Sequence, residues 1–568
     1  MREGRSDWFM PSIADMLFLS LFFKVLSNGS DLLNDGDTGW HIVTGESILR
    51  TFKIPFADPY SHTAPGAPWT THEWLAEVIF GLSHRLMGLN GVVLVSAAVI
   101  TLTFFFLYLF MLRRRINSLV AVSFTILAAF ASSLHWLARP HIFSLPLALA
   151  FIVILEMYQR EKVNHLKMLP PLMILWVNLH GGYILGLILV SIYAAGNLLL
   201  ALTTPDKDGE ARKSFRALGV IAFVTLLATF VNPHGPAILY FPFHNLGRAY
   251  LIDTVAEWLS PDFHKYRLFE VTLLLFVTIF ALSRKKIDVF EGIVALLLTH
   301  MSLYSIRFIP LFSIAVTPMA ATRAGDLLES AVQRRGSMKA VKVIGDILRA
   351  VSENVTALET RFNRHLWVYA ALAICLMIGL NGGRVRKAQV MEYGHNKTEF
   401  PVDALDFALA NHISGNVFNN DGWGGYMIYH AYPTYRVFLD GRSDMYGVSL
   451  VKEYVKVSTA SLGYEDVLDK YGVTWVIYNN DTALCQLLSA SGKWRLIYAD
   501  TIANVFLKDI PENHELIERY GNTSLVFETL ARHRASRSIR YIAPLPIDDL
   551  KTGTKTLGFR SGRVANAM

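Results

Sequence analysis

Asn34-Asp35-Gly36-Asp37-Thr38-Gly39-Trp40-His41 is the stretch on which the fold turns. It follows the first apolar segment, Pro11–Ser27, and opens a long, mostly polar loop bearing Trp and His before the next apolar run. Two carboxylates flanking one glycine at the mouth of an apolar segment are costly near lipid unless they face water, a cation or a substrate. The plain alternative is a cap: Asp35 or Asp37 can cap a helix running from Gly39 to Leu49. The two readings are compatible, and both acids stand as candidate catalytic residues.

The rest of the chain supports a membrane setting for that loop. Its 568 residues are 52% hydrophobic and only 17% charged, with a mean hydropathy of +0.35, too apolar for an ordinary soluble protein of this size. Spanning a bilayer takes about 20 mostly apolar residues, and about eleven segments qualify or come close. They are Pro11–Ser27, Val92–Leu112, Leu119–Leu137, Ile142–Met157, Met168–Val177 with Tyr183–Leu200 after it, Ala217–Val231, Leu268–Leu282, Val289–Leu303, Phe308–Ala321 and Leu366–Leu380. Met1–Ser27 lacks a small-x-small cleavage site and reads as a retained helix. Cys375 and Cys485 lie one in an apolar run and one in the polar tail, which speaks against a disulfide framework.

The net charge of +7 resides mostly in short clusters between apolar runs. Arg2 and Arg5, Arg113-Arg114-Arg115, Arg160 to Lys167, Lys207 to Arg216, Arg284-Lys285-Lys286 and the connector 323–365 all fall on one side if the N-terminus is cytoplasmic. No basic stripe with interleaved aromatics is present, so nucleic acid is excluded as a partner. This topology places the loops 28–90 and 232–267 and the tail from Arg384 outside the cytoplasm, in a bacterial-type inner (plasma) membrane. Expected domains are a membrane domain 1–383, a soluble extracytoplasmic α/β domain 384–510 with short strands such as Thr474-Trp475-Val476-Ile477-Tyr478, and a loose extension 511–568.

The chemistry-bearing residues gather on that outer face. His72 and Glu73 lie in Trp69-Thr70-Thr71-His72-Glu73-Trp74, where an interfacial aromatic belt also explains the tryptophans. Asn178-Leu179-His180-Gly181-Gly182 interrupts a run too short to cross, which is tolerable where backbone lines an enclosed cavity. Glu257 is a lone acid in apolar and aromatic company, either paired or used. Arg307 needs a counter-charge, a lipid phosphate or a structural carboxylate. In the tail, Asp421 and Asp440-Gly441-Arg442 are either substrate-facing or turn chemistry.

Taken together these motifs resemble the GT-C class of polytopic membrane glycosyltransferases. Asp35 and Asp37 resemble an Asp-x-Asp motif in the first outer loop, and Thr254-Val255-Ala256-Glu257 the Ser/Thr-x-x-Glu motif of oligosaccharyltransferase catalytic subunits. Asn420-Asp421-Gly422-Trp423-Gly424-Gly425-Tyr426 with Phe438-Leu439-Asp440-Gly441-Arg442 resembles a diverged Trp-Trp-Asp-Tyr-Gly motif without the paired tryptophans. No second Asp-x-Asp stands in the other outer loops.

The resemblance implies a multi-pass α-helical membrane protein of about eleven transmembrane helices with a C-terminal extracytoplasmic α/β domain. It implies a polyprenyl-(pyro)phosphate-linked sugar donor and a lipid, glycan or protein acceptor. Catalysis is expected from Asp35, Asp37 and Glu257, with Asp37 and Glu257 either sharing a divalent cation (Mg or Mn) or dividing the roles of base and acceptor-orienting group. Substrate contacts are expected from His41, His72, Glu73, His180, Arg307, Asp421, Asp440 and Arg442. A transporter or flippase for a lipid-linked or glycan substrate and a noncatalytic envelope assembly protein are the competing classes. The crowding of ionisable residues on one face speaks against the transporter.

Overall fold

The computed structural model describes residues 10–203, 209–241, 256–333, 339–362 and 364–521. Arg2, Arg5 and Lys207, the Thr254-Val255 half of the motif before Glu257, the middle of the 323–365 connector and the tail beyond 521 lie outside these.

Helices dominate the first two thirds. The first, α1 (Ile13–Ser27), opens with a capping box: Ser12 Oγ accepts from the Asp15 amide at 3.0 Å, and the Asp15 carboxylate accepts from the Ser12 amide at 2.9 Å. Next come α2 (Asp37–Thr51), α3 (Trp74–Met87), α4 (Leu89–Arg113) and α5 (Ser118–Ser132). Among the described residues, four helices are long and apolar enough to cross a membrane, at Leu89–Arg113, Ser118–His135, Pro140–Glu161 and Gly181–Thr203. Leu166–Leu179 and Val289–Tyr304 are shorter apolar helices. The expected interruption after Val177 is present. His180 takes extended backbone angles, and its Nδ1 accepts from the Gly182 amide before the next helix begins.

At one end of the bundle the charges are paired and buried. Glu291 accepts from Arg323 at 2.7 Å and Arg114 at 3.2 Å, and Arg160 lies 2.8 Å from it. These arginines belong to the clusters expected on the cytoplasmic side.

After a short hairpin, β1 (Arg384–Val385) and β2 (Ala388–Gln389), the tail forms a four-stranded sheet. Its strands are β3 (Asn416–Asn419), β4 (Val473–Asn479), β5 (Trp494–Ala499) and β6 (Ala503–Lys508), in the order β3-β4-β6-β5. Only β3 and β4 are parallel, with Phe418 opposite Val476; β6 runs antiparallel to both neighbours, with Val476 opposite Phe506. Strand alternation splits the sheet between two cores. Val476, Tyr478 and Phe506 face one with the helix Ser443–Ser458, and Trp475, Ile477, Val505 and Leu507 face the other.

That second core is not built from the tail alone. Trp40, Tyr60 and Trp69 of the first outer loop are buried in it. Ser61 forms a bridge with Val437, the Val437 amide donates to Tyr60 O at 3.1 Å, and the His62 amide donates to Val437 O at 3.0 Å. The sequence boundary at 384 therefore cuts through a shared core.

Candidate functional site

Asp35 and Asp37 sit where the first outer loop turns into α2. Asp35 Oδ1 accepts from the Asp37 amide at 2.8 Å in a turn just before the N-cap, Gly36, and neither acid caps the helix itself. Asp37 Oδ1 accepts from Trp40 Nε1 at 3.0 Å. That turn uses one oxygen of Asp35, and both carboxylates turn their remaining oxygens toward Arg139.

Arg139 organises the site, and no motif pointed to it. It lies in the connector between Ser118–His135 and Pro140–Glu161, pinned to the first loop by two bonds. The Ala138 amide donates to Leu32 O at 2.7 Å, and Thr38 Oγ1 donates to Ala138 O at 3.1 Å. Its Nη1 donates to Asp35 Oδ2 at 2.9 Å and to Glu257 Oε1 at 2.6 Å, while Nη2 lies 3.0 Å from Asp37 Oδ2. Glu257, delivered from the second large loop, is also 3.3 Å from Arg307 Nε, and Arg307 lies over the Trp258 ring at 4.7 Å. Thus the three expected catalytic acids converge on one guanidinium. Their side chains are 13 to 24% exposed, mostly but not fully withdrawn from solvent. The signal for Arg139 was a lone arginine between two apolar runs on the face holding three unpaired acids.

The electrostatics separate the acids. Burial pushes Asp37 up to about 7, Arg139 opposes this, and the neighbouring Asp35 and Glu257 carboxylates add to the rise. Burial also works against the Glu257 charge, but Arg139 and then Arg307 outweigh it and hold that carboxyl below its ordinary value.

A second cluster stands beside the first, on His41, one turn along α2 from Asp37. Glu73 Oε1 lies 3.5 Å from His72 Nε2 and 3.6 Å from His180 Nε2, and Glu73 Oε2 lies 3.8 Å from His41 Nε2. His180 Nδ1 accepts from the Gly182 amide and is 2.7 Å from Ser144 Oγ, so its Nε2 carries the proton that faces Glu73. Burial opposes the charge on His72, yet Glu73 raises it to about 9. His41, His72, Glu73 and His180, each named separately as a candidate substrate contact, thus lie together, with Glu77, which the sequence reading passed over, 3.5 Å from His41 Nδ1.

The tail residues behave differently. Asp440 and Arg442 are buried and turned inward, a correction to their expected substrate contact. Arg442 Nη2 bridges Asp440 at 2.6 Å and Asp58 at 2.8 Å, with the guanidinium 4.6 Å from the Trp69 ring and 5.0 Å from the Tyr60 ring. The pair clamps the first outer loop to the tail; sequence reading of the tail alone could not know that Asp58 stands opposite. Between them, Gly441 touches the site by lacking a side chain, since a Cβ there would lie 2.0 Å from Asp37 Oδ1. Asp421 is not drawn into the cluster; its Oδ1 accepts from Tyr454 Oη at 3.1 Å.

The expected cation between Asp37 and Glu257 does not fit this arrangement. Among the described residues no group of three or more His, Cys, Asp or Glu is placed to hold a metal ion. The oxygens that would serve as its ligands face Arg139 at 2.6 to 3.0 Å.

No protein-family model matches the sequence, and no curated protein matches it. The oligosaccharyltransferase AglB of Archaeoglobus fulgidus, solved with an inhibitory peptide and a dolichol-phosphate, is 14% identical over 87% of this chain and 75% of its own, with a TM-score of 0.51. In fold, this chain is similar to that GT-C glycosyltransferase. ArnT of Cupriavidus metallidurans, solved with undecaprenyl phosphate, is 14% identical over 86% of this chain and 97% of its own, with a TM-score of 0.44.

Proposed function

We propose that the chain is a membrane glycosyltransferase that moves a sugar from a polyprenyl-(pyro)phosphate-linked donor to a lipid, glycan or protein acceptor at the outer face of a bacterial-type inner membrane. The proposal includes a membrane domain of about eleven spans, 1–383, with its N-terminus cytoplasmic. The observation that carries the reading is the convergence of Asp35, Asp37 and Glu257 on Arg139, at one end of apolar helices arranged as in an oligosaccharyltransferase.

The residues divide the work by their charge. Asp37, whose carboxyl titrates near neutrality, is suited to act as general base. It takes the proton of the acceptor as the acceptor atom bonds to the anomeric carbon. The bond from that carbon to the phosphate oxygen breaks, and the carrier phosphate leaves with the electron pair. In this reading Arg307, 3.3 Å from Glu257 and lying over the Trp258 ring, stabilises that charge. The His72–Glu73–His180 group lies alongside as a wall of fixed donors and acceptors for sugar hydroxyls. The test is sugar transfer by the full-length chain in vesicles containing polyprenyl-phosphate-linked sugars. Label reaching an acceptor in the wild type but not in Asp37→Asn supports the reading; equal transfer by both overturns it.

A further inference from the structure

We propose that Arg139 occupies the place a divalent cation would hold among the three carboxylates, making the site's central positive charge part of the polypeptide. Three carboxylates in one cavity repel unless a cation or proton intervenes. Here Arg139 meets all three, at 2.9 Å, 3.0 Å and 2.6 Å, and Arg307 neutralises the far side of Glu257.

A magnesium or manganese ion needs its oxygen ligands at about 2.0 to 2.6 Å around one point. Reaching Asp35, Asp37 and Glu257 together would require expelling the guanidinium, which would otherwise face the dication at close range. The planar fork suits this position: two terminal nitrogens serve three acids and cannot be deprotonated at any physiological pH. The side chain is also held from behind, because Ala138 is bonded through both its amide and its carbonyl to the first loop that carries Asp35 and Asp37.

Three carboxylates face two guanidinium groups, so the fixed positive charge that a cation would bring is already supplied by Arg139 and Arg307. This assignment rests on the glycosyltransferase reading only for its activity arm, and a binding measurement tests it separately.

The experiment titrates Mn2+ into the full-length chain in lipid and follows it by electron paramagnetic resonance. The wild type is expected to show no saturable site up to about millimolar Mn2+. Arg139→Gln is expected to bind Mn2+ at least about tenfold more tightly than wild type, because one fixed positive charge has left the cavity. In the activity arm, wild-type transfer is expected to be unchanged by a chelator. A single tight Mn2+ site in the wild type that disappears in Asp37→Asn, or transfer lost on chelation and restored by Mn2+, would overturn the proposal. Should Arg139→Gln not fold, the wild-type titration alone decides. Absence of any transfer would count against the glycosyltransferase reading while leaving the binding result intact.

Discussion

Asp37 is where charge, geometry and pH meet. If it is the general base, Asp37→Asn lowers turnover by at least about a hundredfold in a steady-state transfer assay. Only the deprotonated carboxylate accepts a proton, so wild-type turnover falls as pH drops through about 7. Stability follows the opposite sign. The folded carboxyl binds its proton more tightly than the ordinary value of 3.8, so its contribution is fully present below that value and is lost as pH rises through about 7. Melting temperature measured across that window should therefore decline with pH in the wild type and lose this component in Asp37→Asn; an unchanged slope would separate Asp37 from the titration. At this scale the sequence showed the acids because they stood out of place among apolar and aromatic residues. Arg139 was harder to single out, since its position between two apolar runs on the acids' face marks it only weakly until packing shows what surrounds it. Asp440 and Arg442 misled for the same reason: the partner that buries them lies in another part of the chain.

At the scale of elements, the position of Asp37 depends on bare backbone. The start of α2 crosses the helix Asp421–Ala431 through glycines on both sides. A Cβ on Gly36 would stand 2.2 Å from Gly422 O, one on Gly39 2.2 Å from Gly425 O, and one on Gly425 2.2 Å from Gly36 O. Backbone cannot yield as a flexible side chain can. Gly39→Ala should therefore displace α2 and lower turnover by about a hundredfold, the scale of a misplacement near 1 Å, whereas Gly219→Ala, with open space around it, serves as the control. Wild-type turnover in Gly39→Ala would show that this crossing does not set the site. The apolar helices and the strand over 474–478 were legible from their pattern, and the break at His180 from its polar, glycine-rich context. The glycine crossing was not, because the residues that need those glycines belong to a helix almost four hundred positions away.

At the scale of the whole molecule, membrane and tail parts share a core and a buried ion pair. Removing the side chain of Arg442 leaves Asp58 and Asp440 buried and uncompensated, so Arg442→Ala should cost about 3 to 5 kcal/mol in denaturant unfolding of the full chain. For the same reason the fragment 384–521, lacking Trp40, Tyr60 and Trp69, should bind a hydrophobic dye and unfold without a sharp transition. Cooperative melting of that fragment would mean the tail completes its own core. The proposed orientation predicts that single cysteines at Ser414 and Lys285 label from opposite sides of sealed vesicles; labelling from the same side would invert or dismantle the topology. Both native cysteines are buried and would not interfere. Apolar runs and basic clusters made the membrane class readable. The shared core was not, because loop tryptophans look alike whether they meet lipid headgroups or another part of the protein.

The Gly441 contact with Asp37 has a consequence in time. A ribosome makes the acid early and the backbone packed against it some four hundred residues later, so a nascent chain carries the apolar helices before it carries a finished site. If the proposed function holds, a chain ending before residue 441 lacks the backbone packed against Asp37 and should insert without transferring sugar.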